Sequence, residues 1–409
     1  MPDAKNDADQ QQNGVGPLAG VRVLDLSRVL AGPYAAMTLG DMGADVIKVE
    51  QPGEGDETRG WGPPFAGGES AYYLSVNRNK RSITLNLKHP AARELLLDLV
   101  RKSDILIENF KTGTLERMAL GDETLWQANP RLIHASLTGF GTSGPYAEYA
   151  GYDFVVQGLA GIMGVTGEPA GEPMKVGIAI VDITAALFML NGILAALYRR
   201  TETGRGQRVD ASLLQSAMAW LANVGQNYLI SGKDAGRFGN AHPNIVPYQV
   251  FHASDKPISL ACANPRQFKA FCELAGRPDL PDDPRFRTNA ERVANRDELI
   301  AIVQSLVEQQ TAAEWVRLLN EHGVPAGAIN TVAQAFADPQ VQALGVVKTL
   351  PHPTIGDLRV VGSPIALSEA SIGPRTAPPL LGQHTDEVLR ELLGLGDDRI
   401  AELRAEGAI

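Results

Sequence analysis

Short apolar runs rich in β-branched residues alternate with helix-like stretches over the first half of the chain. The run "VRVLDLS" begins at Val21 and is followed by the helical pattern "GPYAAMTLGDMG" and then by "ADVIKVE". The same order returns in "SITLNL", "AARELLLDLVRKS", "DILIEN" and "LIHASLTGF". Strands separated by helices of about ten residues are typical of parallel βαβ units. The sequence therefore predicts an α/β fold around a parallel sheet.

The texture of the sequence changes after Ser231. The stretch "GKDAGRFGNAHPNIVPYQVF" is rich in loop residues, and Asn264 to Gly323 has a mostly helical pattern with proline breaks. Two later strand-like runs, "VPAGAIN" and "LRVVGSPI", should return to the first domain because two short strands make no core alone. The first residues are polar and rich in Gln and Asp, which favours disorder. We predict a disordered lead-in at 1–16, a large domain at 17–225 completed by 326–409, and a small domain at 226–325.

Charge and cysteine content bear on the function class. The 37 basic residues are outnumbered by 47 acidic ones, for a formal net charge of -10, which does not suit a dedicated binder of nucleic acid or of acidic membranes. The two cysteines, Cys262 and Cys272, allow neither a disulfide framework nor a metal cluster of their own. The histidines form no metal-binding pattern such as HExxH. We expect no nucleic-acid, membrane or metal partner, and a reducing compartment: the cytoplasm or, in a eukaryote, the mitochondrial matrix.

A long apolar run with one carboxylate inside it follows Lys175. From Val176 to Leu197 the only side chain charged at neutral pH is Asp182. The run is long enough to span a membrane, but its glycines, its asparagine and its aspartate favour a buried core element. We predict a strand over "VGIAIV", an N-cap at Asp182, and a central helix that ends at Gly204.

Asp182 itself has two interpretations. Aspartate is a common N-cap worth about 1 kcal/mol, and the pattern alone favours that role. The same place also suits a nucleophile, since free backbone N–H groups and the positive helix end would keep the carboxylate ionised. Apolar surroundings would strip it of water, and an ionised carboxylate needs no general base before it attacks. The residues alone leave both roles open.

Two further motifs carry weaker signals. The pattern "GFGTSG" fits GxGxxG, but no clear helix follows it and no acidic ribose ligand lies about twenty residues on, so a dinucleotide site is disfavoured. A loop that presents its backbone to some other ligand fits better. The basic cluster "NRNKRS", at residues 77–82, is either a solvated turn or a seat for anionic ligand groups.

Several ordered motifs resemble those of the family III CoA-transferases, which include formyl-CoA transferase, carnitine CoA-transferase and α-methylacyl-CoA racemase. The resemblance runs from about Leu18 to the C-terminus. The stretches that carry it are "GVRVLDLSRVLAGP", "LGDMGADVIKVEQPGEGDETRGWGPP", "NRNKRSITLNLK", "IENFKTGTLERMAL", "SLTGFGTSGP", "GYDFVVQGLAG", "DITAALFMLNGILAALYRRTETGRGQ" and "RFGNAHPNIVPYQVF". It implies a Rossmann-like large domain, a smaller α+β domain and a homodimer of two interlocked rings.

The resemblance also implies a reaction. The family's catalytic aspartate falls at Asp182, whose carboxylate would attack a donor thioester to give an aspartyl–acyl anhydride, and then an aspartyl-CoA thioester. CoA or acyl-CoA would be a substrate, with no permanently bound cofactor, and the acceptor would be a carboxylic acid, such as the dicarboxylates succinate or glutarate. Backbone N–H donors from "TGFGTSG" or from the helix start at Ile183 would stabilise the tetrahedral oxyanions.

Positions carried over from the family predict the ligand contacts. The CoA contacts are Val29, Leu30, Ala31, Leu85, Asn86, Leu87, Lys88, Asn109, Phe110, Arg117, Thr138, Gly139, Phe140 and Gly141. Arg28 and Tyr152 are predicted to contact the substrate, Arg28 through the distal carboxylate of a dicarboxylate. Gln51 and Thr138 stand where the family has basic residues, so Arg28 or Arg81 would compensate in holding the phosphates.

Two alternatives remain. The racemase branch of the family uses a His–Asp pair in a "GHD" motif, and this chain has "GYD", with Tyr152 in place of the histidine. Because tyrosine has an ordinary pKa near 10 and is a poor base at neutral pH, the change favours CoA transfer over racemisation. A CoA-binding protein without catalysis is the second alternative, and a buried carboxylate at residue 182 disfavours it.

Overall fold

The computed structural model describes residues 16–409, which form two compact units. The large unit consists of residues 16–160, 176–226 and 344–409, and the small unit of residues 161–175 and 227–343. Apart from Gly16, the predicted lead-in lies outside the described residues.

The strands and helices follow one another in the order that the sequence patterns suggested for the first half of the chain. The strands are Arg22–Asp25 (β1), Asp45–Glu50 (β2), Phe65–Ala66 (β3), Glu69–Ser70 (β4), Lys80–Thr84 (β5), Ile105–Glu108 (β6), Ile133–Thr138 (β7), Arg208–Ser212 (β8), Tyr248–His252 (β9), Pro257–Ala261 (β10), Ala326–Ala328 (β11), Val347–His352 (β12) and Gly356–Val361 (β13). The helices are Ala31–Asp41 (α1), Ala71–Val76 (α2), Pro90–Arg101 (α3), Thr114–Arg117 (α4), Asp122–Ala128 (α5), Asp153–Leu159 (α6), Ile162–Val165 (α7), Ile180–Thr203 (α8), Leu213–Trp220 (α9), Ala222–Ser231 (α10), Pro265–Leu274 (α11), Asn289–Ala294 (α12), Arg296–Val307 (α13), Ala312–Glu321 (α14), Val332–Ala337 (α15), Pro339–Ala343 (α16), Thr385–Leu393 (α17) and Asp397–Ala405 (α18).

A six-stranded parallel sheet organises the large unit and confirms the α/β prediction. Its strand order is β5-β2-β1-β6-β7-β8, and each neighbouring pair is parallel. The chain builds outward from β1 in one direction and from β6 in the other. In open parallel sheets the crevice at such a reversal, at the carboxyl ends of the strands, is the usual place for a ligand. The topology therefore directs attention to the loops that follow β1 and β6.

Helices cover the sheet because its strands are apolar on both faces. Leu24, Ile47 and Leu106 belong to one buried cluster with residues of α3, α17 and α18. The residues that alternate with them, such as Val23 and Ile105, are also fully buried, as expected for strands between two helical layers. The C-terminal helices α17 and α18 thus complete the core of the large unit.

The long apolar helix α8 packs against α1, α9 and the strands β7 and β8. Among residues 16–409 it is the one helix whose length and composition alone would allow it to cross a membrane. Its buried side includes Ala185, Met189 and Ile193, whereas Leu187 and Phe188 are exposed on the single chain. The predicted central helix is therefore present, but only one side of it is buried.

Two local predictions are wrong. The stretch "VGIAIV" forms no strand, because β8 takes the edge of the sheet beside β7 and α8 already begins at Ile180. The run "VPAGAIN" contains β11, which pairs antiparallel with β10 and so belongs to the small unit rather than to the large one.

The small unit is an antiparallel three-stranded sheet, β11-β10-β9, with helices α11 to α14. Phe251, Phe268, Phe271 and Trp315 form the centre of its core. The unit differs in extent from the predicted range 226–325, since it also includes residues 161–175 and continues to residue 343.

Candidate active site

A cavity of about 160 Å³ lies in the large unit at the reversal of the sheet. The loop after β1, the loop after β6 and the long connection after β7 supply most of its wall, and Asp182 contributes from the first turn of α8. Its lining residues are Arg28, Val29, Leu30, Ala31, Glu57, Asn109, Phe110, Lys111, Thr112, Leu137, Thr138, Gly139, Ala147, Tyr149, Ala150, Gly151, Tyr152, Asp182 and Leu213. Residues distant in sequence thus meet around one carboxylate, in what we call the Asp182 cavity.

The predicted N-cap role of Asp182 is wrong. Helix α8 starts two residues earlier, so Asp182 is its third residue, and the N-cap position belongs to Ala179, which makes no side-chain cap. Asp153 caps the helix instead, because its Oδ2 accepts the N–H groups of Val181 at 2.7 Å and of Asp182 at 3.2 Å. The side chain of Asp182 is left to line the cavity.

Gln157 holds the capping carboxylate in place. Its Nε2 donates to Oδ1 of Asp153 at 2.5 Å, and its Oε1 accepts the backbone N–H of Val176 at 2.8 Å. Gln157 is fully buried, and Asp153 is only 8 % exposed. A rigid amide–carboxylate pair therefore joins α6 to the start of α8, which fixes the position of Asp182.

The electrostatics of Asp182 also differ from the expectation. Burial, and then the neighbouring charge of Asp153, raise the pKa of Asp182 from 3.8 to about 7. The donors at the helix start serve Asp153, and the N–H of Ile183 donates to the carbonyl of Ala179 at 3.2 Å. The sequence pattern predicts that the helix end keeps Asp182 ionised. This prediction is wrong, because the pKa of Asp182 is raised. Among residues 16–409 no cation or hydrogen-bond donor lowers its pKa.

The turn between β1 and α1 lines the cavity with residues 28–31. Asn109 holds it from the side: its Oδ1 accepts the N–H of Arg28 at 2.9 Å, and its Nδ2 donates to the Arg28 carbonyl at 2.7 Å. Val29 has a φ of 70°, in the left-handed region. Within the described chain, the N–H groups of Leu30 and Ala31 at the start of α1 have no hydrogen-bond acceptor. These two donors are available to a ligand.

A second cavity, of about 370 Å³, adjoins the first. Arg28, Glu57 and Phe110 line both. The predicted contacts Leu85, Leu87 and Lys88 line this second cavity, together with Leu26, Lys48, Val49, Glu50, Gln51, Glu54, Gly55, Asp56 and Met118. The two cavities share three lining residues and so form one track along the carboxyl ends of β1, β2, β5 and β6.

Four predicted contacts lie outside both cavities. Asn86 shapes a turn, since its Oδ1 accepts the N–H of Lys88 at 3.2 Å. Arg117 donates to the Thr114 hydroxyl at 2.8 Å. The N–H of Gly141 donates to Oγ1 of Thr138 at 3.0 Å, a hydrogen bond within the loop, so this N–H is not free for a ligand. Phe140 packs edge-to-face against tyrosines of the following segment. Thr138 and Gly139 do line the Asp182 cavity.

The segment before α6 contains lining residues that the sequence reasoning missed. Tyr149, Ala150 and Gly151 reach the cavity because two glycine backbones pass each other closely. A Cβ on Gly139 would come within 2.6 Å of the Cα of Gly151, and the reverse substitution would give 2.5 Å. Both distances are shorter than real Cβ contacts, so each position requires glycine. The two glycines are visible in the sequence, but only the fold shows that they contact each other.

The basic cluster at residues 77–82 has neither of its predicted roles. Arg78 pairs with Asp41, and Lys80 pairs with Asp25 in full burial. Arg81 pairs with Asp45 at the other end of the sheet, so it lies away from the Asp182 cavity. These charges hold elements together. Arg28 pairs with Glu57 at the junction of the two cavities.

Metal chemistry receives no support from the geometry. Within residues 16–409 no three side chains of His, Cys, Asp or Glu are grouped so that they could hold a metal ion.

Comparisons with known proteins agree on one family. The family model described as CoA-transferase family III matches residues 18–385. Human succinyl-CoA:glutarate CoA-transferase is 44% identical over 397 residues, which cover 97% of this chain and 91% of that protein. Succinate–glutarate CoA-transferase of Agrobacterium fabrum is 46% identical over 382 residues, covering 92% and 96%. A crystal structure of a CAIB/BAIF family protein from Brucella suis superposes with a TM-score of 0.81 at 46% identity, covering 92% of this chain and all of that one.

Proposed function

Because this chain belongs to CoA-transferase family III and is an enzyme of that class, we propose that it transfers CoA between carboxylic acids through covalent intermediates on Asp182. The observation that carries the proposal is a half-buried carboxylate at the reversal of a parallel sheet, with no cationic partner among residues 16–409 and with free N–H donors on residues that line the same cavity. The names of the relatives suggest succinate and glutarate as the acids.

In the first step the Asp182 carboxylate attacks the thioester carbonyl of the donor. The carbonyl oxygen takes the negative charge, and the N–H groups of Leu30 and Ala31 are the donors placed to stabilise it. The C–S bond then breaks, CoA leaves as a thiolate, and an aspartyl–acyl anhydride remains. Backbone donors suit this role because they cost no reorganisation during the reaction.

The remaining steps move CoA to the acceptor. The thiolate attacks the aspartyl carbonyl of the anhydride, which releases the donor acid and leaves an aspartyl-CoA thioester. The acceptor carboxylate attacks that thioester, which again expels the thiolate and forms a second anhydride. The thiolate finally attacks the acceptor carbonyl, so the product thioester leaves and the Asp182 carboxylate is restored. Every bond to sulfur that breaks is formed again, and no cofactor is consumed.

The raised pKa of Asp182 gives the carboxylate a suitable reactivity. A carboxylate held in a strong ion pair is a poor nucleophile, whereas burial and the charge of Asp153 make the ionised form of Asp182 less stable and so more reactive. At neutral pH a large fraction is still ionised, since its pKa is about 7.

The track beyond the Asp182 cavity suits the long CoA chain. Lys88 in the second cavity and Arg28 at the junction are cationic, and cations are apt donors to phosphate. We therefore assign Arg28 to the phosphate end of CoA rather than to the distal carboxylate of the acid. Binding energy from the nucleotide can then offset the strain of making an anhydride.

Racemisation is the alternative that the site disfavours. Tyr152 lines the cavity where a catalytic base would stand, and no histidine is among the lining residues. An enzyme that inverts an α-carbon needs a group that can take and return a proton near neutral pH. Inversion of an α-carbon without an acceptor acid would identify a racemase.

A homodimer forms part of the proposal. Helices α6, α8 and α9 pack together in the large unit, and each presents exposed apolar side chains: Phe154, Val155, Leu159, Leu187, Phe188 and Trp220. Exposed apolar side chains gathered on three packed helices favour an interaction site. We propose that a second copy of the chain covers it, which light scattering of the purified protein would measure directly.

The test is CoA exchange with a panel of acids. Wild-type enzyme is incubated with succinyl-CoA and, in turn, glutarate, oxalate, acetate and no acceptor, and new thioesters are measured by chromatography. We expect glutaryl-CoA from the wild type and none from Asp182→Ala. Asp210→Ala, on β8 and outside both cavities, is the matched control and should retain exchange. Inversion of a 2-methylacyl-CoA centre without any acceptor acid would overturn the proposal in favour of a racemase.

A further inference from the structure

Val29 has a backbone conformation that its side chain disfavours. Its φ of 70° lies in the left-handed region, which β-branched residues rarely adopt. Such a conformation costs a non-glycine residue enough to lower its population about tenfold, so it persists only where its surroundings hold it. Val29 lines the Asp182 cavity and directly precedes the free N–H groups of Leu30 and Ala31. Its conformation therefore decides where those donors point.

The buried ion pair of Lys48 and Asp56 binds the backbone of the turn that contains Val29. Both carboxylate oxygens of Asp56 accept the N–H of Val29, each at 3.3 Å. Lys48 donates to Oδ2 of Asp56 at 2.9 Å and to the carbonyl of Ser27 at 2.9 Å. The side chains of Lys48 and Asp56 are both 0 % exposed. The pair thus binds the chain on either side of Arg28, at the residue before it and at the residue after it.

A second buried pair holds the start of the same turn. Oδ1 of Asp25 accepts the N–H of Ser27 at 3.0 Å and also bonds the Ser27 hydroxyl. Lys80 pairs with Oδ2 of Asp25 at 2.8 Å, again with both side chains fully buried. These contacts fix the backbone at the end of β1. The next two residues of the turn are Arg28, which Asn109 binds, and Val29, which Asp56 binds.

From these contacts we propose that Asp56, supported by Lys48, is a positioning residue: it keeps Val29 left-handed and thereby aims the N–H groups of Leu30 and Ala31 at the reacting carbonyl. The inference rests on the proposed function, since it assigns the oxyanion donors of that reaction. Asp56 is among the residues around the second cavity, but its side chain is 0 % exposed, so it is not itself a substrate contact. It acts on the reaction through the backbone of residues 27–31, and it also accepts the N–H and the hydroxyl of Thr58 at the start of the short helix Glu57–Gly60.

A purely structural role explains the pair less well. Buried ion pairs are often neutral for stability when both partners are replaced by apolar residues of similar volume. Besides the hydrogen bonds from Thr58 to Asp56, the pair makes three hydrogen bonds to the backbone of Val29 and Ser27, in the turn that lines the Asp182 cavity. The structure thus places an energetically expensive pair where it controls a donor geometry.

The test removes the pair without leaving a buried charge. The variant Lys48→Met with Asp56→Leu is compared with wild type in the succinyl-CoA exchange assay, with kcat, KM for succinyl-CoA and calorimetric affinity for CoA measured separately. We expect kcat to fall about tenfold or more, because the left-handed turn is no longer held, while CoA affinity changes much less. The free energy of unfolding is measured in urea to establish that the variant is folded.

Rescue distinguishes positioning from general damage. Glycine adopts positive φ as readily as negative φ, so adding Val29→Gly to the pair variant should restore most of the lost kcat. A matched control is Arg78→Met with Asp41→Leu, which removes another buried pair at the opposite end of α1. It should leave kcat within about twofold of wild type.

Two results would overturn the inference. One is a pair variant that folds and keeps the wild-type kcat. The other is a pair variant that loses kcat and regains none of it when Val29→Gly is added. These failures differ from a failure of the proposed function, which would appear as absence of CoA exchange in the wild-type enzyme.

Discussion

Asp182 and Asp56 are carboxylates beside adjoining cavities, Asp182 half-buried and Asp56 fully buried, and the charges around them are opposite. Burial favours the neutral acid at both positions. At Asp56 the Lys48 ammonium and the hydrogen bonds from Thr58 outweigh burial and lower the pKa to about 2. At Asp182 no cation from the described part of the chain offsets burial, and the charge of Asp153 adds to it, so the pKa rises to about 7. The comparison teaches that partners, rather than burial, separate an anchoring carboxylate from a reactive one.

The largest expected effect is the loss of kcat when Asp182, rather than Asp56, is replaced. Asp182→Asn keeps the shape of the side chain but removes the attacking oxygen anion, so kcat for CoA exchange should fall by about 10⁴-fold or more. Because deamidation of the introduced asparagine would regenerate the aspartate, Asp182→Ala is measured beside it. If Asp182→Ala kept exchange within tenfold of wild type, Asp182 would be no nucleophile.

The next effect concerns stability at Asp56. Asp56→Asn leaves Lys48 buried without its counter-charge, which should cost about 3–5 kcal/mol at pH 7 in urea unfolding. Because the folded pKa is below the unfolded value of 3.8, the ionised carboxylate stabilises the protein above pH 4, and this contribution is lost as pH falls towards 2. The difference between wild type and variant should therefore shrink from pH 5 to pH 3. A difference independent of pH over that range would mean that the pair adds no electrostatic stability.

Asp182 should show the opposite pH dependence of stability. Its folded pKa is raised, so its contribution is fully present below pH 4 and is lost as pH rises through about 7. Asp182→Asn should therefore stabilise the protein at pH 8, by about 2–4 kcal/mol, and have little effect near pH 4. Thermal and urea unfolding at both pH values would measure this, and a variant less stable than wild type at pH 8 would contradict the raised pKa.

The smallest effect is a shift of the pH–rate profile. The acid limb of kcat/KM should reflect ionisation of Asp182 near pH 7 in the free enzyme. Asp153→Asn keeps an oxygen to cap α8 but removes the charge, so we expect the limb to move to lower pH by about one unit. Asp210→Asn, outside the cavity, should leave the profile in place. An unchanged limb in Asp153→Asn would show that Asp153 does not raise the pKa of Asp182.

Local pattern was enough to predict the sheet but not the start of α8. Runs such as "VRVLDLS" and "DILIEN" have the length and composition of buried parallel strands, and β1 and β6 lie in them. The apolar run "VGIAIV" has the same composition but no neighbouring strand with which to pair. Whether an apolar run becomes a strand depends on the free edges of the sheet, which sequence periodicity does not contain.

The motifs around Asp182 predict that it is the catalytic residue, which stays a prediction, but they could not predict its pKa. A helix start predicts free N–H groups for the nearest aspartate, and Asp182 was the nearest. Asp153, 29 residues earlier, takes those donors instead. The same is true of the Lys48–Asp56 pair and of the approach of Gly139 to Gly151, since each depends on segments that only the folded chain brings together.

The central claim is that Asp182 carries the acyl group and CoA in turn. The most direct measurement is mass spectrometry of the enzyme quenched with hydroxylamine during turnover of succinyl-CoA, because hydroxylamine converts an aspartyl anhydride or thioester to a hydroxamate. We predict a hydroxamate on Asp182 that requires succinyl-CoA and is absent from Asp182→Ala. Active exchange without any modification of Asp182, or with the hydroxamate on another residue, would contradict the account.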